Sequence, residues 1–266
     1  MLRANVNPDQ IEYQRAAYDS HYPKMAAAVR DQLAHPLLSS FYDRLAGHIL
    51  DSVRGRTGPV RMLEAGCGEG LLASAVQRVA RRRGQTYAYT GTDLSLAGVE
   101  LAGTVVDGEF LHGDVVEVVA GLEAGSQDLI WAKNLIHHLE NPADFLREAL
   151  RVVGPSGRVV IVEPRMWCPI HWVNLVLVRQ ERYQFQGYRR TLAAFDAAGG
   201  RLLRTQEFGW LPYELVLAIR FGLPRRLLSS SSPSFIGRFS AVDDRLTARF
   251  PNLALYMVSE LAAPEG

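Results

Sequence analysis

Cysteine is scarce in this chain. Cys67 and Cys168 are the only two cysteines in 266 residues, and neither belongs to a CxxC motif or a Cys/His cluster with metal-ligand spacing. This excludes a disulfide framework and favours a reducing, cytoplasmic compartment. Asp, Glu and His residues also form no convergent ligand set in the sequence. We therefore predict no metal site.

An excess of charge of either sign is also missing. Lys and Arg total 29 against 28 Asp and Glu, which gives a formal net charge of +1. Without a global positive field the chain has no general attraction for phosphates, so a nucleic-acid partner is disfavoured. With 48% hydrophobic and 21% charged residues, the composition is that of an ordinary soluble globular protein.

Long apolar segments are absent. The longest uncharged apolar run near the middle, 166–178, is shorter than the roughly 20 residues that span a bilayer, and Pro169 and His171 interrupt it. No apolar core precedes Pro8, so we expect no signal peptide. The basic, apolar segment 219–228 could rest on an anionic membrane, but its Gly and Pro residues spoil a regular helix and favour a lid instead.

From residue 60 onward, short β-branched runs alternate with helical patterns. This alternation predicts an α/β fold, with a mostly parallel sheet covered by helices on both faces. The predicted strands are 60–64, 87–92, 109–112, 129–132, 158–162, 201–208 and 253–262. A helix should begin after Asn141, with Asn as N-cap and Pro142 at its first position, and end at Gly154. Another helix is expected over 191–198.

Two regions depart from the alternation and set the predicted domain organisation. Residues 1–59 are mostly helical in pattern, including 11–30, and we expect an N-terminal helical lid there. Residues 60–266 form the predicted core, with substrate-side insertions at about 165–190 and 209–250.

A glycine-rich turn follows the first predicted strand, with Glu64 ahead of Gly66, Gly68 and Gly70. Such a turn lets backbone N–H groups and a helix N-terminus approach a nucleotide-like ligand, because no side chains stand in the way. A dinucleotide-binding fingerprint would have a third, helix-packing glycine where this chain has Leu71. A nicotinamide-dependent oxidoreductase is therefore disfavoured.

Together with four later motifs, this turn resembles the class I S-adenosylmethionine-dependent methyltransferases, in particular the small-molecule branch related to quinone-biosynthesis methyltransferases. The later motifs are an acid ending the second strand, a Gly-Asp pair after the third, and the strand-four and strand-five segments: Asp93, Gly113-Asp114, DLIWAKNLIHHL at 128–139 and RVVGPSGRVVIVEP at 151–164. The resemblance covers most of residues 60–163. It implies a Rossmann-like, seven-stranded sheet whose last strand lies antiparallel beside the fifth.

The resemblance implies S-adenosylmethionine as cofactor and assigns its binding residues. In the family the strand-two acid binds the ribose hydroxyls and the Gly-Asp pair holds the adenine, which points to Asp93 and Asp114. The predicted cofactor-binding residues are Glu64, Gly66, Cys67, Gly68, Gly70, Asp93, Leu94, Gly113, Asp114, Val115, Asn134 and Tyr18. Alternatives stay open: Asp93 and Asp114 could cap the helices that follow them, and Glu64 could contact the methionyl end or only orient the turn.

The paired histidines after strand four are the catalytic candidates. Methyl transfer from a sulfonium is an in-line displacement with a neutral leaving group, so orientation contributes much and a base is needed only for a protonated acceptor. His137 and His138 are predicted as catalytic, with a purely structural role as the alternative for each.

Aromatic residues in the N-terminal helix and in the insertions are the substrate candidates. Tyr18 and Tyr22 lie four residues apart and thus share a helix face; packing of that helix on the core is the alternative. Aromatic side chains with a few polar groups line small-molecule pockets, although each could instead simply cover the sheet. The predicted substrate-binding residues are Tyr22, Trp167, His171, Trp172, Tyr183, Trp210 and Tyr213.

The sequence thus predicts methyl transfer from S-adenosylmethionine to an oxygen or nitrogen, less favourably a carbon, of a small hydrophobic metabolite such as a natural-product or lipid intermediate. The signature of enzymes that methylate base amino groups is replaced by Asn134-Leu-Ile-His137, which again disfavours nucleic acid. The alternative is a non-methylating reaction on the same fold, such as a biosynthetic cyclisation. The oligomeric state stays open.

Overall fold

The computed structural model describes residues 12–23, 34–165, 168, 187–210 and 232–264. The helices are α1 (12–23), α2 (Pro36–Asp51), α3 (Leu71–Arg82), α4 (Leu96–Ala102), α5 (Val115–Ala120), α6 (Pro142–Val153), α7 (Gly187–Ala197) and α8 (Pro233–Arg249). The strands are β1 (Val60–Ala65), β2 (Tyr87–Asp93), β3 (Glu109–His112), β4 (Leu129–Lys133), β5 (Arg158–Pro164), β6 (Arg201–Phe208) and β7 (Tyr256–Ala262).

The strands form one seven-stranded sheet in the order β3-β2-β1-β4-β5-β7-β6. The pairs among β1 to β5 are parallel, and β7 is antiparallel to both β5 and β6. The predicted fold class, including the antiparallel last strand beside the fifth, is confirmed. β7 begins at Tyr256, later than the predicted residue 253, because Pro251–Leu253 forms a 3-10 turn.

The central strands are buried on both faces, which explains their continuous apolar sequences. In β4, Leu129 and Trp131 belong to the core on the face covered by α2 and α3, whereas Ile130 and Ala132 belong to the core beneath α6 and α7. All four are completely buried. The two cores hold the parallel strands in place from both faces. Their carboxyl edge, where ligands bind in open α/β sheets, therefore has a fixed position.

Helix α2 is part of the layer that covers the sheet. Its buried side chains Phe41, Leu45 and Ile49 lie in the same core as β1, α3 and β7. Of the region predicted as an N-terminal lid, it is α1 that lies at the carboxyl edge, as the contacts below show.

The N-terminus of α6 is placed as predicted, but its capping differs. Asn141 precedes Pro142, yet its side chain makes no capping bond to the helix; its Nδ2 donates to Asp144 Oδ2 at 2.6 Å instead. The Asn141 side chain thus bonds to a carboxylate of the first turn and not to a backbone N–H of the helix. The helix ends at Gly154, whose φ is 62°.

No helix in the described part of the chain is long and apolar enough to cross a membrane.

Candidate functional site

The glycine turn between β1 and α3 holds three residues in the left-handed region. The φ values of Gly66, Gly68 and Gly70 are 74°, 49° and 79°, a conformation that glycine adopts without a steric penalty. The backbone N–H groups of Gly66 and Cys67 both donate to Thr92 O, at 2.8 and 2.9 Å. The turn is thus fastened to the end of β2.

Asp93 connects the same turn to the start of α4. Its Oδ2 accepts from the Gly68 N–H at 2.8 Å and its Oδ1 from the Ser95 N–H at 2.9 Å. Burial raises the pKa of Asp93, while these two backbone bonds lower it. Each carboxylate oxygen can accept a further bond, so the observed bond to Ser95 is compatible with the predicted binding of ribose hydroxyls.

Glu64 lies beneath the turn in a fully buried position. Tyr89 Oη donates to its Oε2 at 2.9 Å. Burial raises the pKa of Glu64 to about 8, despite the bond from Tyr89. The group is therefore mostly protonated at neutral pH. Cys67, beside it, is also buried, and burial raises its thiol pKa as well.

The ends of β2 and β3 lie side by side. Asp114 Oδ1 accepts from the Val116 N–H at 2.7 Å and caps α5, which realises the capping alternative without using all the acceptor sites of the carboxylate. The Gly113 N–H donates to Asp93 O at 3.0 Å. The predicted cofactor-binding residues at this part of the edge are Leu94, Gly113, Asp114 and Val115.

Asn134 follows β4 in an unusual backbone conformation. Among the described residues it is the only one other than glycine with positive φ, at 55°. Its N–H donates to Val162 O at 2.9 Å, while its buried Oδ1 has no hydrogen-bond partner within the described chain. An orphaned buried acceptor is costly unless a ligand donor satisfies it. The residues present thus fit a ligand that brings an N–H group, as the ammonium of S-adenosylmethionine does.

Glu163, at the end of β5, organises the 3-10 turn Ile136–His138. Its Oε2 lies 2.5 Å from His137 Nδ1, and its Oε1 accepts from the N–H groups of Leu135 and Ile136 at 3.0 and 2.9 Å. Glu163 is not among the site residues predicted from the sequence. An acidic residue directly after a predicted buried strand was the signal that could have found it, since buried charges require partners.

His138 faces α1. Its Nε2 lies 3.4 Å from Tyr18 Oη, and its backbone oxygen accepts from Gln14 Nε2 at 3.4 Å. Burial, with a smaller contribution from His137, lowers the pKa of His138 to about 3. The imidazole of His138 is therefore neutral throughout the physiological range.

Tyr22 lies on the glycine turn. Its Oη is 2.9 Å from the position that a Cβ would take on Gly68, and its ring packs against Gly98. Asp19, on the same helix, accepts a hydrogen bond from Ser95 Oγ. Helix α1 thus contacts the turns after β1, β2 and β4. Tyr22, predicted for substrate, adjoins the glycine turn, whereas Tyr18, predicted for cofactor, adjoins His138.

The remaining substrate candidates are less well placed by the structure. The backbone N–H of Trp210 donates to Asp243 Oδ1 at 2.8 Å, and its ring lies 6.2 Å from that of Phe250, so these contacts are with α8 and the residue after it. Five candidates lie outside the described residues: Trp167, His171, Trp172, Tyr183 and Tyr213. Within the described ranges, no group of three or more Cys, His, Asp or Glu residues is arranged to hold a metal.

The strand order, the glycine turn and the acid that ends β2 define a class I methyltransferase fold. Residues 63–161 match the profile of the family described as methyltransferase domain. The chain therefore contains a methyltransferase domain of the S-adenosylmethionine-dependent class.

Individual proteins show the same similarity. The chain is 28% identical over 152 residues to the non-reducing polyketide synthase sor2 of Hypocrea jecorina, covering 55% of this chain but only 6% of that protein. It is 27% identical over 170 residues to a ubiquinone biosynthesis O-methyltransferase of Bordetella avium, covering 59% and 62%. The solved [4+2]-cyclase SpnF superposes with a TM-score of 0.53 at 21% identity, covering 84% and 81%; this likeness shows the fold alone.

Proposed function

We propose that this protein transfers the methyl group of S-adenosylmethionine to an oxygen or nitrogen, less favourably a carbon, of a small hydrophobic metabolite. The observation that carries the proposal is the joint arrangement of Asp93 on the glycine turn and the orphaned Asn134 Oδ1, within a matched methyltransferase domain. A buried carboxylate beside backbone N–H groups suits a ribose diol. An unsatisfied amide oxygen suits an ammonium.

Different residues at the carboxyl edge would bind the two ends of the cofactor. Asp93 and Asp114, at the ends of β2 and β3, would hold the ribose and adenine. Glu64 and Asn134, at β1 and β4, would lie near the methionyl end. When bound, S-adenosylmethionine supplies a methyl group on a positively charged sulfur, so the protein needs to orient the acceptor and exclude water rather than to provide an acid.

The acceptor would lie between the turn after β4 and α1. The bond to Glu163 fixes His137, and its side chain is only 1% exposed, which supports a positioning role. His138 adjoins Tyr18 and is neutral, so it can accept a proton; its low pKa makes it a weak base. This arrangement suits an acceptor that is already ionised or easily deprotonated.

The composition of the chain and the names of its relatives both support a hydrophobic acceptor. Segment 165–190 is rich in aromatic residues and arginine, as expected for a pocket that takes an apolar molecule. Two of the reported relatives are named for polyketide and ubiquinone biosynthesis, which supports a natural-product or lipid intermediate. The role of a whole polyketide synthase does not carry over, because the chain spans 6% of that protein.

Calorimetric titration tests the cofactor. We expect S-adenosylmethionine and S-adenosylhomocysteine to bind with micromolar affinity and NAD not to bind. Asp93→Ala should weaken both sulfur ligands by about 100-fold, since it removes charge-assisted bonds to two hydroxyls. Asp107→Ala, which removes a carboxylate that is 87% exposed, serves as the matched control. Wild-type affinity in Asp93→Ala would refute the ribose assignment.

The similarity of fold to SpnF supports one second candidate, a cyclisation on the same scaffold. Product mass separates the two, because transfer adds a methyl group to the acceptor and cyclisation adds nothing. S-adenosylhomocysteine is released only in the first case.

A further inference from the structure

Lys133 is the last residue of β4, and its side chain places a positively charged ammonium at the carboxyl edge of the sheet. The chain has 27 arginines and only two lysines, and this lysine immediately precedes Asn134. Its Nζ lies 5.0 Å from the ring centroid of Tyr256 and 6.0 Å from that of Tyr42. These distances are those of cation–π contacts, which hold an ammonium in place without neutralising it.

The ammonium lacks a matching anion in the described structure. No carboxylate of the described residues forms an ion pair with Lys133, and the only contacts found for its Nζ there are the two aromatic rings. The residue is half-buried. A partly desolvated ammonium with three N–H donors gains from an anionic acceptor that replaces lost water. The site is therefore prepared for a negatively charged ligand group.

Strand order indicates which ligand brings that group. Tyr256 belongs to β7, which lies beyond β5 from β4, whereas the glycine turn follows β1 on the other side of β4. The ring contact with Tyr256 thus lies towards the half of the edge that the cofactor-binding turn does not occupy, while the charge of Lys133 also reaches Glu64 and Glu69 at that turn. On β4 this half also carries the turn with His138, where the acceptor is proposed to lie.

The neighbouring acids do not replace such a group. Lys133 lowers the pKa values of Glu64 and Glu69, so its positive field reaches both. Burial nevertheless keeps both pKa values above their ordinary ones, and that of Glu64 is about 8. At neutral pH Glu64 is mostly protonated and does not compensate the positive charge of Lys133, and Glu69 forms no ion pair with Lys133 in the described structure.

We propose that Lys133, seated on Tyr42 and Tyr256, binds an anionic oxygen of the acceptor, which makes the substrate an acidic molecule such as an ionised phenol. The inference rests on the proposed function and specifies its acceptor. An ionised oxygen beside a lysine is a ready nucleophile for a methyl group, which agrees with the weak basicity of His138. The alternative use of Lys133, binding the carboxylate of the cofactor, is separated by the test.

The probe is 4-nitrophenol, whose ionised form absorbs visible light, and its neutral counterpart is 4-nitroanisole. Each is titrated into the protein saturated with S-adenosylhomocysteine, for wild type, Lys133→Met and Lys133→Arg. Arg147→Met removes an exposed cation of α6 that pairs with Asp144 and controls for net charge. Thermal unfolding and titration of S-adenosylmethionine are recorded for each variant.

We expect wild type to bind 4-nitrophenolate and to lower the apparent pKa of the bound probe. Lys133→Met should weaken the phenolate by about tenfold or more and leave 4-nitroanisole unchanged. Lys133→Arg keeps the positive charge and should therefore bind the phenolate more tightly than Lys133→Met does. S-adenosylmethionine affinity should be the same in all of them.

Three results would overturn the proposal. The first is equal phenolate binding by wild type and Lys133→Met, and the second is no phenolate binding by a wild type that binds S-adenosylhomocysteine. The third is that Lys133→Met weakens only S-adenosylmethionine binding, which would assign Lys133 to the cofactor carboxylate. Absence of S-adenosylmethionine binding in wild type would instead defeat the proposed function. The two failures are thus distinguishable.

Discussion

Glu163 and His137 form a buried pair that joins the ends of β5 and β4, with Oε2 and Nδ1 2.5 Å apart and both side chains at most 2% exposed. Because the carboxylate accepts from Nδ1–H, a neutral imidazole has its lone pair on Nε2. The other carboxylate oxygen holds two backbone N–H groups of the same turn. One side chain thus sets both the path of the turn and the orientation of the ring.

Replacement of Glu163 should therefore loosen the turn. Glu163→Ala leaves two backbone donors and one imidazole without their acceptor, and we expect a loss of about 3 kcal/mol in the free energy of unfolding. Glu163→Gln keeps one carbonyl acceptor and should lose less. Urea denaturation measures both, and ¹⁵N shifts of His137 report the tautomer.

The control for this pair is Glu148→Ala, which removes a surface carboxylate paired with Arg151 and should change stability by about 0.5 kcal/mol or less. A Glu163→Ala variant as stable as that control, with an unaltered His137 spectrum, would contradict the positioning role.

Gly68 and Gly55 offer a matched test of the space beneath Tyr22. Both have positive φ, 49° and 86°, but a Cβ on Gly68 would lie 2.9 Å from Tyr22 Oη, whereas one on Gly55 would meet nothing within 4 Å. Gly55→Ala should cost about 1 kcal/mol through backbone strain alone. Gly68→Ala should lower the free energy of unfolding by more than Gly55→Ala does. In a Tyr22→Ala background this extra loss should be smaller, and thermal unfolding measures it. Equal costs in both backgrounds would count against the contact.

The two tyrosines of α1 should differ in their effect on cofactor affinity. Tyr22 adjoins Gly68 and Gly98, whereas Tyr18 adjoins His138. We expect Tyr22→Ala to weaken S-adenosylmethionine by about tenfold, because it uncovers the glycine turn, and Tyr18→Ala to change it by less than about threefold. Calorimetry on both variants checks this. A larger effect for Tyr18→Ala would instead agree with the prediction from the sequence, in which Tyr18 binds the cofactor and Tyr22 the substrate.

Glu64 should make stability depend on pH. Its pKa is about 8 in the folded protein against an ordinary value of 4.5, so between these values the folded state holds a proton that the unfolded state releases. The unfolding free energy therefore falls as pH rises from 4.5 to 8, by an amount on the order of a few kcal/mol. Glu64→Gln should remove this contribution, leaving the variant nearly equal to wild type at pH 4.5 and more stable at pH 8.

Chemical denaturation at the two pH values measures the difference between Glu64→Gln and wild type. Glu260→Gln, on β7, is the control for loss of a carboxylate, since it removes one that pairs with Arg158 and Arg204. A Glu64 variant whose stability difference from wild type is the same at both pH values would contradict the buried, protonated state.

Much of the fold follows from local sequence. β3 and β6 occupy the predicted residues, because short segments bounded by turn residues such as Gly113 and Gly200 need no distant information. The glycine turn was likewise predictable, since only glycine fits three left-handed positions in five residues. The lack of a side-chain cap at Asn141 was not predictable, because the residue type alone does not show that this side chain bonds to Asp144 instead.

The site shows where local reasoning ends. The sequence by itself determined the alternation of strands and helices, the turn and the acid after β2, since each depends on residue type and short spacing. Only the tertiary structure decided that Glu163 holds His137, that Tyr22 lies on the turn, and that Lys133 lies between Tyr42 and Tyr256. The reason is physical: these contacts join residues from different strands and helices, and their geometry is set by the order of the strands in the sheet.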